Sequence, residues 1–507
     1  MHNIQILIVD LGFQYTLVIG RTLRELGFRS AILSSEKAKG WLKNNKPKAI
    51  IFSGGSASVY EENAPTPPKE ILKLNVPILG ICYGMHWLVQ ELGGVITPHQ
   101  EHKEYGTAKI KLSISDNLFL QTKPNQVVWA SHGDSVTQTS SNFKIIATSN
   151  NEQTIAAISN IKRKIWGVQF HPEVTQTEQG KDILQNFLTL SKCKKDWNPK
   201  NVIKEIRNEV KQAMNKKKAI IGFSGGVDSS TLSAVLSPIL KNRLLAVCIE
   251  TGALRKDEMQ EVKLNAMAVG VQLKIVKASS DFQKAMGQTV HSEMKRMRFK
   301  KLYGKILEKV AKDFDADFII QGTLATDLIE SGKVGEADMI KTHHNTGLNL
   351  NIKELHPFRN LFKYEIRELA KELKLPLSIV KRQPFPGPGL FLRVVGKPPI
   401  IKRLSIVKWA DYEITKILKK HKLYNKLSQL VVALICVPTV GIKGDKRSYK
   451  DAIVIRAIQT SDFMTARGFQ FPPNTRRELQ SSITKHPEVT RVWFDENDKP
   501  PATTEFE

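Results

Sequence analysis

The chain is poor in cysteine and lacks a long hydrophobic run. Its 507 residues include four cysteines, widely spaced and without a CxxC pair, which argues against a disulfide framework and a cysteine zinc site. The longest uncharged apolar stretch, 427–442, has 16 residues and contains Pro438 and Gly441, whereas a membrane-spanning helix needs roughly 20 residues. No basic and apolar leader precedes the first strand pattern. We therefore expect no membrane insertion and a cytoplasmic location.

Acidic residues are also scarce. The chain has 49 Asp and Glu against 76 Lys and Arg, and its net charge of +27 favours anionic partners such as nucleotides. The lysines are spread along the chain and form no single basic patch, so we expect no nucleic-acid partner. A content of 41% hydrophobic and 25% charged residues is typical of a folded protein. The length predicts two to four domains.

The order of the apolar patterns predicts an α/β protein with two doubly wound parallel-sheet domains and a smaller α+β C-terminal domain. Residues 1–192, 193–383 and 384–507 are the predicted domains. The second domain begins with a basic linker and an amphipathic helix before its first strand at 219–223. The third follows the proline- and glycine-rich run 383–389, which can be neither helix nor central strand. Predicted strands of the first domain include 4–9, 49–52, 76–81, 127–130, 144–147 and 165–170.

Cys82 is the best candidate for a nucleophile. It stands between Gly80 and Gly84 where an apolar strand runs into a helix, the pattern of a nucleophile elbow with cysteine in place of serine. The positive end of a helix favours the thiolate, which is the reactive form. The alternative is a structural cysteine buried in a strand–helix turn.

Two further strand ends offer partners for this cysteine. Gly54 and Gly55 follow the strand 49–52, and a glycine-rich loop there can present backbone N–H groups to an oxyanion. His171 follows the strand 165–170 and can act as a general base, with Glu173 fixing its tautomer. All three segments leave strand ends of one predicted sheet, so we expect them to meet.

These motifs resemble the class I glutamine amidotransferases, which hydrolyse glutamine to glutamate and ammonia. The resemblance implies a triad of Cys82, His171 and Glu173. It also implies an oxyanion and glutamine site that includes Gly54, Gly55, Tyr83 and His86. The chain departs from the family at His86, where a glutamine is usual, at Ser56, where a proline is usual, and at Phe13, where a small serine is usual. A slow or altered glutaminase is a possible consequence of these departures.

A second glycine-rich turn lies at 224–230, between a strand and a helix. Backbone N–H groups of such a turn cradle phosphate oxygens, and Asp228 is placed to hold Mg²⁺. The turn lacks the lysine of a Walker A loop. It resembles the pyrophosphate loop of N-type ATP pyrophosphatases, which implies that Gly252 and Gly322 close on ATP. The loop residues are Ser224, Gly225, Gly226, Val227, Asp228, Ser229 and Ser230.

The remaining segments together resemble the GMP synthetase family, and the resemblance spans the chain. It implies that ATP adenylylates XMP and that ammonia from glutamine displaces AMP to give GMP. It also implies Mg²⁺ as a cofactor and a homodimer formed through the C-terminal domain. Cations and N–H groups suited to a phosphorylated purine occur at Arg382, at Lys499 and in the turn with Pro388 and Gly389. The full predicted XMP site is Lys301, Arg382, Pro388, Gly389, Lys499, Thr503 and Glu505.

Departures in this half leave other functions open. The segments 322–331 and 342–350 differ from the family pattern around the expected lid, and the part after Asn345 is shortened. A related amidotransferase with another purine-like acceptor is therefore one alternative. A tRNA-modifying pyrophosphatase is a second, although Cys248 stands alone where sulfur transfer usually needs a cysteine pair. A weakly active regulatory protein is a third.

Overall fold

A computed structural model describes residues 4–13, 15–98, 104–149, 154–324, 340–341, 352–443, 445–460, 466–499 and 501–507. They form two compact units, Met1–Asn198 and Pro199–Glu507. In the described ranges no helix is long and apolar enough to cross a membrane.

The described part of the first unit contains a nine-stranded sheet and a two-stranded ribbon. Its strands are β1 (Ile6–Asp10), β2 (Ser30–Ser34), β3 (Ala49–Phe52), β4 (Ile78–Ile81), β5 (Val95–Pro98), β6 (Glu104–Leu112), β7 (Asn125–His132), β8 (Asp134–Gln138), β9 (Lys144–Ser149), β10 (Thr154–Asn160) and β11 (Ile165–Val168). Its helices are α1 (Thr16–Glu25), α2 (Ser35–Leu42), α3 (Tyr83–Glu91) and α4 (Gly180–Leu190).

The large sheet has the order β2-β1-β3-β4-β11-β10-β9-β6-β7. Its first five strands are parallel, as the sequence predicts, and β3, β4 and β11 are buried throughout because apolar layers cover both faces of the sheet. The other four strands are antiparallel. The strand direction changes between β11 and β10 because these two strands are joined by only a short turn, and a parallel pair would need a long crossover. The carboxyl ends of β3, β4 and β11 therefore lie together.

The second unit contains a six-stranded sheet in the order β14-β13-β12-β15-β17-β16, parallel except for its last pair. These strands of the described chain are β12 (Ala219–Gly222), β13 (Leu244–Glu250), β14 (Gln272–Lys277), β15 (Phe318–Ile320), β16 (Ile340–Lys341) and β17 (Lys353–Leu355). The accompanying helices are α5 (Pro199–Met214), α6 (Val227–Leu240), α7 (Glu258–Ala268), α8 (Ser279–Met286), α9 (Ser292–Phe314), α10 (Lys363–Glu372) and α11 (Leu377–Val380).

A further sheet follows in the same unit, with two long strands paired antiparallel. Its elements are β18 (Val394–Val395), α12 (Ile401–Lys420), β19 (Gln429–Lys443), β20 (Lys446–Gln459), β21 (Arg467–Gly468), α13 (Pro473–Ile483) and β22 (Val489–Asp495).

The two sheets of the second unit share one hydrophobic core. The same cluster of buried side chains includes Val247 and Phe282 from the first sheet region and Leu404, Val432 and Ile455 from the second. The predicted boundary at 383/384 therefore lies between two sheets that pack on common apolar side chains. The division into three domains remains a prediction.

Candidate active sites

Cys82 lies on a strained turn between β4 and α3. Its φ of 50° and ψ of −108° are unfavourable for a residue with a side chain. A Cβ added at Gly80 would lie 2.6 Å from the Gly84 backbone, and one at Gly84 would lie 2.7 Å from Phe52. The turn thus depends on glycine at both flanking positions and has the geometry of a nucleophile elbow.

His171 and Glu173 lie beside this cysteine, just beyond the end of β11. The His171 Nδ1 is 2.8 Å from the Glu173 Oε1, and both side chains are fully buried. Burial by itself would lower the pKa of His171, but the charge of Glu173 and the neighbouring Cys82 sulfur raise that pKa to about 10. The His171 Nε2 has no hydrogen-bond partner among the described residues. The arrangement favours an imidazolium beside the Cys82 sulfur at neutral pH.

The Gly54–Gly55 loop approaches the triad very closely. A Cβ at Gly54 would lie 2.9 Å from the Phe13 ring and 3.1 Å from the His171 ring. A Cβ at Gly55 would lie 2.9 Å from the Tyr83 ring. Only glycine leaves room here, which supports the predicted oxyanion loop. The Tyr83 hydroxyl donates to the Pro65 carbonyl at 2.7 Å and so fixes the ring beside this loop.

The structure places two of the three unusual residues of this region, Phe13 and His86, close to the triad. The Phe13 ring stacks on the His171 imidazole, with ring centroids 4.9 Å apart and planes 22° apart. His86 is buried, and its Nε2 lies 2.6 Å from the Gln169 Oε1. Burial and the neighbouring His132 lower the pKa of His86 to about 4, so it is neutral at physiological pH.

Gln169 is a functional candidate that the sequence prediction missed. Its Nε2 donates toward the Cys82 Sγ at 3.8 Å, and its side chain is buried. A polar residue at the buried end of an apolar strand, two positions before His171, was the available indication.

Replacing Glu173 by glutamine should lower glutaminase activity about 10²–10⁴-fold. The carboxylate raises the pKa of His171, so a neutral amide lets that pKa fall. A proton donor acts only below its pKa, and the alkaline limb of the rate profile should therefore move to lower pH. Glutamate release measured from pH 6 to 10.5 tests this. An unchanged alkaline limb would contradict the proposed charge coupling, and ammonium-dependent synthesis serves as the control for folding.

The predicted phosphate loop connects β12 to α6. Gly225 has a φ of +68°, and its carbonyl accepts from the Asn265 Nδ2 at 2.9 Å and from the Arg382 Nη1 at 2.8 Å. The Ser224 Oγ accepts from the Gly226 N–H at 3.3 Å. The helix begins at Val227, so its free N–H groups face the loop. Ser229 and Ser230 lie in the first turn of that helix.

Asp228 forms an ion pair that the sequence did not predict. Its Oδ2 accepts from the Lys363 Nζ at the start of α10, and its Oδ1 is buried without a hydrogen-bond partner in the described chain. Burial lowers the pKa of Arg367, and the Asp228 charge opposes that shift, which places a second cation near the carboxylate. Carboxylate oxygens suit Mg²⁺, which commonly takes one or two of them together with substrate phosphates. The free oxygen of Asp228 therefore fits the predicted metal role. Among the described residues there is no cluster of three or more metal-binding side chains.

The two predicted glycines of the ATP site differ in position. A Cβ at Gly322 would lie 3.6 Å from the Asp228 Cβ, so Gly322 borders the phosphate loop. Gly252, with a φ of +84°, instead lies against Ser279.

A cavity of about 790 Å³ lies between α7 and α12. Arg382 lines it and pairs with Glu258, which connects the cavity wall to the phosphate loop through Gly225. Arg255 also lines it and stacks over the Phe385 ring at 4.4 Å. Further basic side chains of the wall are Lys256, Lys381, Lys416 and Lys419. The wall also carries the carboxylates of Asp257, Glu258, Glu261 and Asp411, so its six basic side chains leave a modest excess of positive charge, which suits an anionic ligand.

A network of buried side chains connects Glu505, near the C-terminus, to this cavity. Glu505 accepts from Arg393 at 3.3 Å and from the Gln429 Nε2 at 2.9 Å. The fully buried Arg393 also pairs with Asp411, at 3.1 Å, and the second oxygen of Asp411 lies 3.4 Å from the Arg255 Nε. Glu505 is thereby connected to the cavity wall.

The other predicted XMP residues are more scattered. Gly389 has a φ of +61°, and its turn is held by the Leu390 N–H, which donates to the Ala253 carbonyl at 2.9 Å. Lys499 pairs through its backbone with Ala466, and the Thr503 hydroxyl donates to the Glu505 carbonyl. Lys301 is exposed on α9. The residues that line the cavity include none of Lys301, Pro388, Gly389, Lys499, Thr503 and Glu505.

The basic residues of α9 that meet the C-terminus are Lys295 and Arg296, which the sequence prediction missed. The Lys295 Nζ donates to the Val394 carbonyl at 2.7 Å and to the Glu507 carboxylate. The predicted lid segments 325–331 and 342–350 lie outside the described residues.

The chain matches three known families. These are glutamine amidotransferase class I over residues 7–190, the PP-loop domain over 199–379 and the GMP synthase C-terminal domain over 416–506. A glutamine-hydrolysing GMP synthase from Aquifex aeolicus is 38% identical over 513 residues, covering 100% of both chains. The enzyme of the same name from Prochlorococcus marinus is 38% identical over 518 residues, covering 99% of this chain and 98% of that protein. The one from Campylobacter hominis is 38% identical over 514 residues, again with full coverage of both.

Proposed function

The chain belongs to the glutamine-hydrolysing GMP synthases, and from this premise we propose how its residues divide the reaction between two sites. The enzyme converts XMP, ATP and glutamine into GMP, AMP, pyrophosphate and glutamate. Similarity over the full length does not favour the alternatives of another acceptor or of tRNA modification. The observation that carries the assignment is the presence of the triad and the phosphate loop in a chain with full-length GMP synthase relatives.

The first site releases ammonia from glutamine. The Cys82 thiolate attacks the amide carbon, and the backbone N–H groups near Gly54 and Gly55 stabilise the negative oxygen that forms. The His171 Nε2 gives its proton to the departing ammonia, which leaves a thioester on Cys82. His171 then takes a proton from water, whose oxygen attacks the thioester and releases glutamate. Glu173 holds the imidazole in the required tautomer, as its 2.8 Å contact with Nδ1 supports.

The second site activates XMP. The N–H groups of the 224–230 loop and of the first turn of α6 hold the ATP phosphates. Mg²⁺, when bound by Asp228, supplies positive charge to the phosphates. The xanthine O2 attacks the α-phosphorus and pyrophosphate leaves. Ammonia then attacks C2, and AMP departs with that oxygen. Lys363, which pairs with the other oxygen of Asp228, would supply a further positive charge for the phosphates.

XMP binds in the basic cavity lined by Arg382 and Arg255. Its size suits a mononucleotide, because small-molecule sites are typically about 300–1,000 Å³. Glu505 and Asp411 form a network that holds Arg255, and this supports an indirect contribution of the C-terminus to the XMP site.

Replacing Arg382 by methionine should raise the KM for XMP at least about tenfold, because a charge-assisted hydrogen bond to phosphate is lost. Arg382 also holds the Gly225 carbonyl, so a smaller rise in the KM for ATP is expected. Initial-rate kinetics with ammonium separate the two values. An unchanged KM for XMP would place the nucleotide elsewhere, and Lys374→Met, on an exposed turn, is the matched control.

The proposal includes a homodimer and a cytoplasmic location. Exposed apolar side chains on β19 and β20, among them Val440, Ile442 and Tyr449, support an interface on the C-terminal sheet. Sedimentation measurements on the full chain test the dimer. The cytoplasmic location is the expectation stated from the sequence.

AMP and pyrophosphate release from ATP and Mg²⁺ with XMP tests the function directly. We expect GMP with glutamine and also with ammonium. GMP with ammonium alone would contradict the glutaminase, and no AMP with either donor would contradict XMP as the acceptor.

A further inference from the structure

Three side chains form a continuous chain from the interior of the first unit to the nucleophile. The His86 Nε2 lies 2.6 Å from the Gln169 Oε1, and the Gln169 Nε2 lies 3.8 Å from the Cys82 Sγ. We propose that His86 is a positioning residue that orients the Gln169 amide so that its NH₂ group faces the Cys82 sulfur. The inference rests on the proposed glutaminase.

The ends of this chain are held by the same two elements. His86 lies one helical turn after Cys82 in α3, and its backbone N–H donates to the Cys82 carbonyl at 3.1 Å. Gln169 directly follows β11, which pairs with β4 just before the nucleophile. His86 and Gln169 are 4% and 2% exposed, so neither side chain can exchange its partner for bulk water.

The tautomer of His86 decides which way the amide points. A neutral imidazole has one N–H, and when Nε2 carries it, the Gln169 Oε1 accepts it. The amide NH₂ is then directed to the sulfur. The opposite orientation would place the carbonyl oxygen against a thiolate, and two electron-rich atoms would repel. Among the residues that the structure describes, the other groups facing His86 are the His132 ring, with centroids 6.5 Å apart, and the Asp134 carboxylate. The low pKa of His86 keeps it neutral and is consistent with a single N–H.

Besides the neighbouring His171, two polar groups of the described chain contact the Cys82 sulfur, and they act in opposite directions. The Ser131 carbonyl, at 3.8 Å, accepts a hydrogen bond from the thiol and favours the protonated form. The Gln169 NH₂ donates to the sulfur and favours the thiolate. A residue that directs the amide toward Cys82 therefore increases the fraction of thiolate. Removing the N–H of His86 lets the amide rotate, so the amide no longer opposes the Ser131 contact, while the neighbouring His171 is unchanged.

A matched pair of variants tests this. In His86→Met the side chain has the reach of the histidine but no donor, whereas in His86→Gln the Nε2 is separated from Cα by the same number of bonds and still donates. We expect His86→Met to lower kcat for glutamine hydrolysis at least about tenfold, with the KM for glutamine changed by less than about twofold. The midpoint of the pH profile for Cys82 alkylation by iodoacetamide, followed on the Cys82 peptide, should rise by about one pH unit. His86→Gln should restore both values.

Each result decides the proposal. In Gln169→Leu the same midpoint should rise, and the double variant with His86→Met should show no additional rise, since both act on one contact. A higher KM with an unchanged alkylation profile would show that His86 contacts glutamine directly and overturn the inference. If His86→Met changed neither kcat nor the alkylation midpoint while the wild-type glutaminase was active, the inference would also be overturned. No glutaminase in the wild type would instead contradict the proposed function. Near-UV circular dichroism and ammonium-dependent synthesis confirm that the variants are folded.

Discussion

Replacing Asp228 by alanine is expected to abolish GMP synthesis with both glutamine and ammonium, by about 10³-fold or more. Adenylylation of XMP precedes the use of either nitrogen donor, so a defect in the phosphate loop affects both. Asp228 is the carboxylate of the loop, and its free oxygen is the candidate ligand for Mg²⁺. The variant also leaves Lys363 without its acidic partner. We do not expect the freed Lys363 charge to compensate at the phosphates for the lost carboxylate.

The measurement is AMP release from ATP with XMP, under both nitrogen donors and over a range of Mg²⁺ concentrations. Asp281→Ala provides a matched control, because that carboxylate is exposed in the first turn of α8 in the same unit. We expect near-normal rates for this control. Ammonium-dependent activity retained in Asp228→Ala would show that Asp228 is not the metal ligand.

Replacing Cys82 by alanine should lower glutamine-dependent synthesis about 10⁴-fold or more, while ammonium-dependent synthesis stays within about twofold. The thiolate is the group that attacks the amide carbon, and no other cysteine in the described chain lies beside His171 and Glu173. The second site lies in a different compact unit and keeps all its residues. The experiment therefore separates the production of ammonia from its use.

GMP formation measured at saturating glutamine, and then at saturating ammonium, gives the comparison. Cys193→Ala is the matched control, since this half-buried thiol belongs to the same unit. Loss of synthesis with both donors in Cys82→Ala would contradict the division of labour between the two sites.

The parallel sheets and the placement of the motifs could be predicted from the sequence. Strands such as β3 and β12 are short apolar runs that end in glycine-rich turns, a pattern that local chemistry fixes. The positions of Cys82, His171 and Asp228 at strand ends follow from this order. The antiparallel half of the first sheet did not follow, because apolar strands of either direction have similar patterns over a few residues.

Contacts that depend on distant segments could not be predicted. Lys363 is 135 residues from Asp228 along the chain, and Lys295 is 212 residues from Glu507. A basic residue in a charged helix gives no sign of which acid it will meet after folding. The stacking of Phe13 on His171 has the same origin: the sequence shows an unusual residue, and only the fold shows that its ring covers the imidazole.

The hydrophobic core shared by the two sheets of the second unit restricts how such an enzyme can evolve. Genetic recombination that exchanged only residues after 383 would place foreign side chains against Val247 and Phe282, and the mismatch would cost stability before a new acceptor could be selected. The two sheets are therefore expected to diverge together by small compensating substitutions. The first unit has separate hydrophobic cores of its own, so the shared core places no such restriction on it.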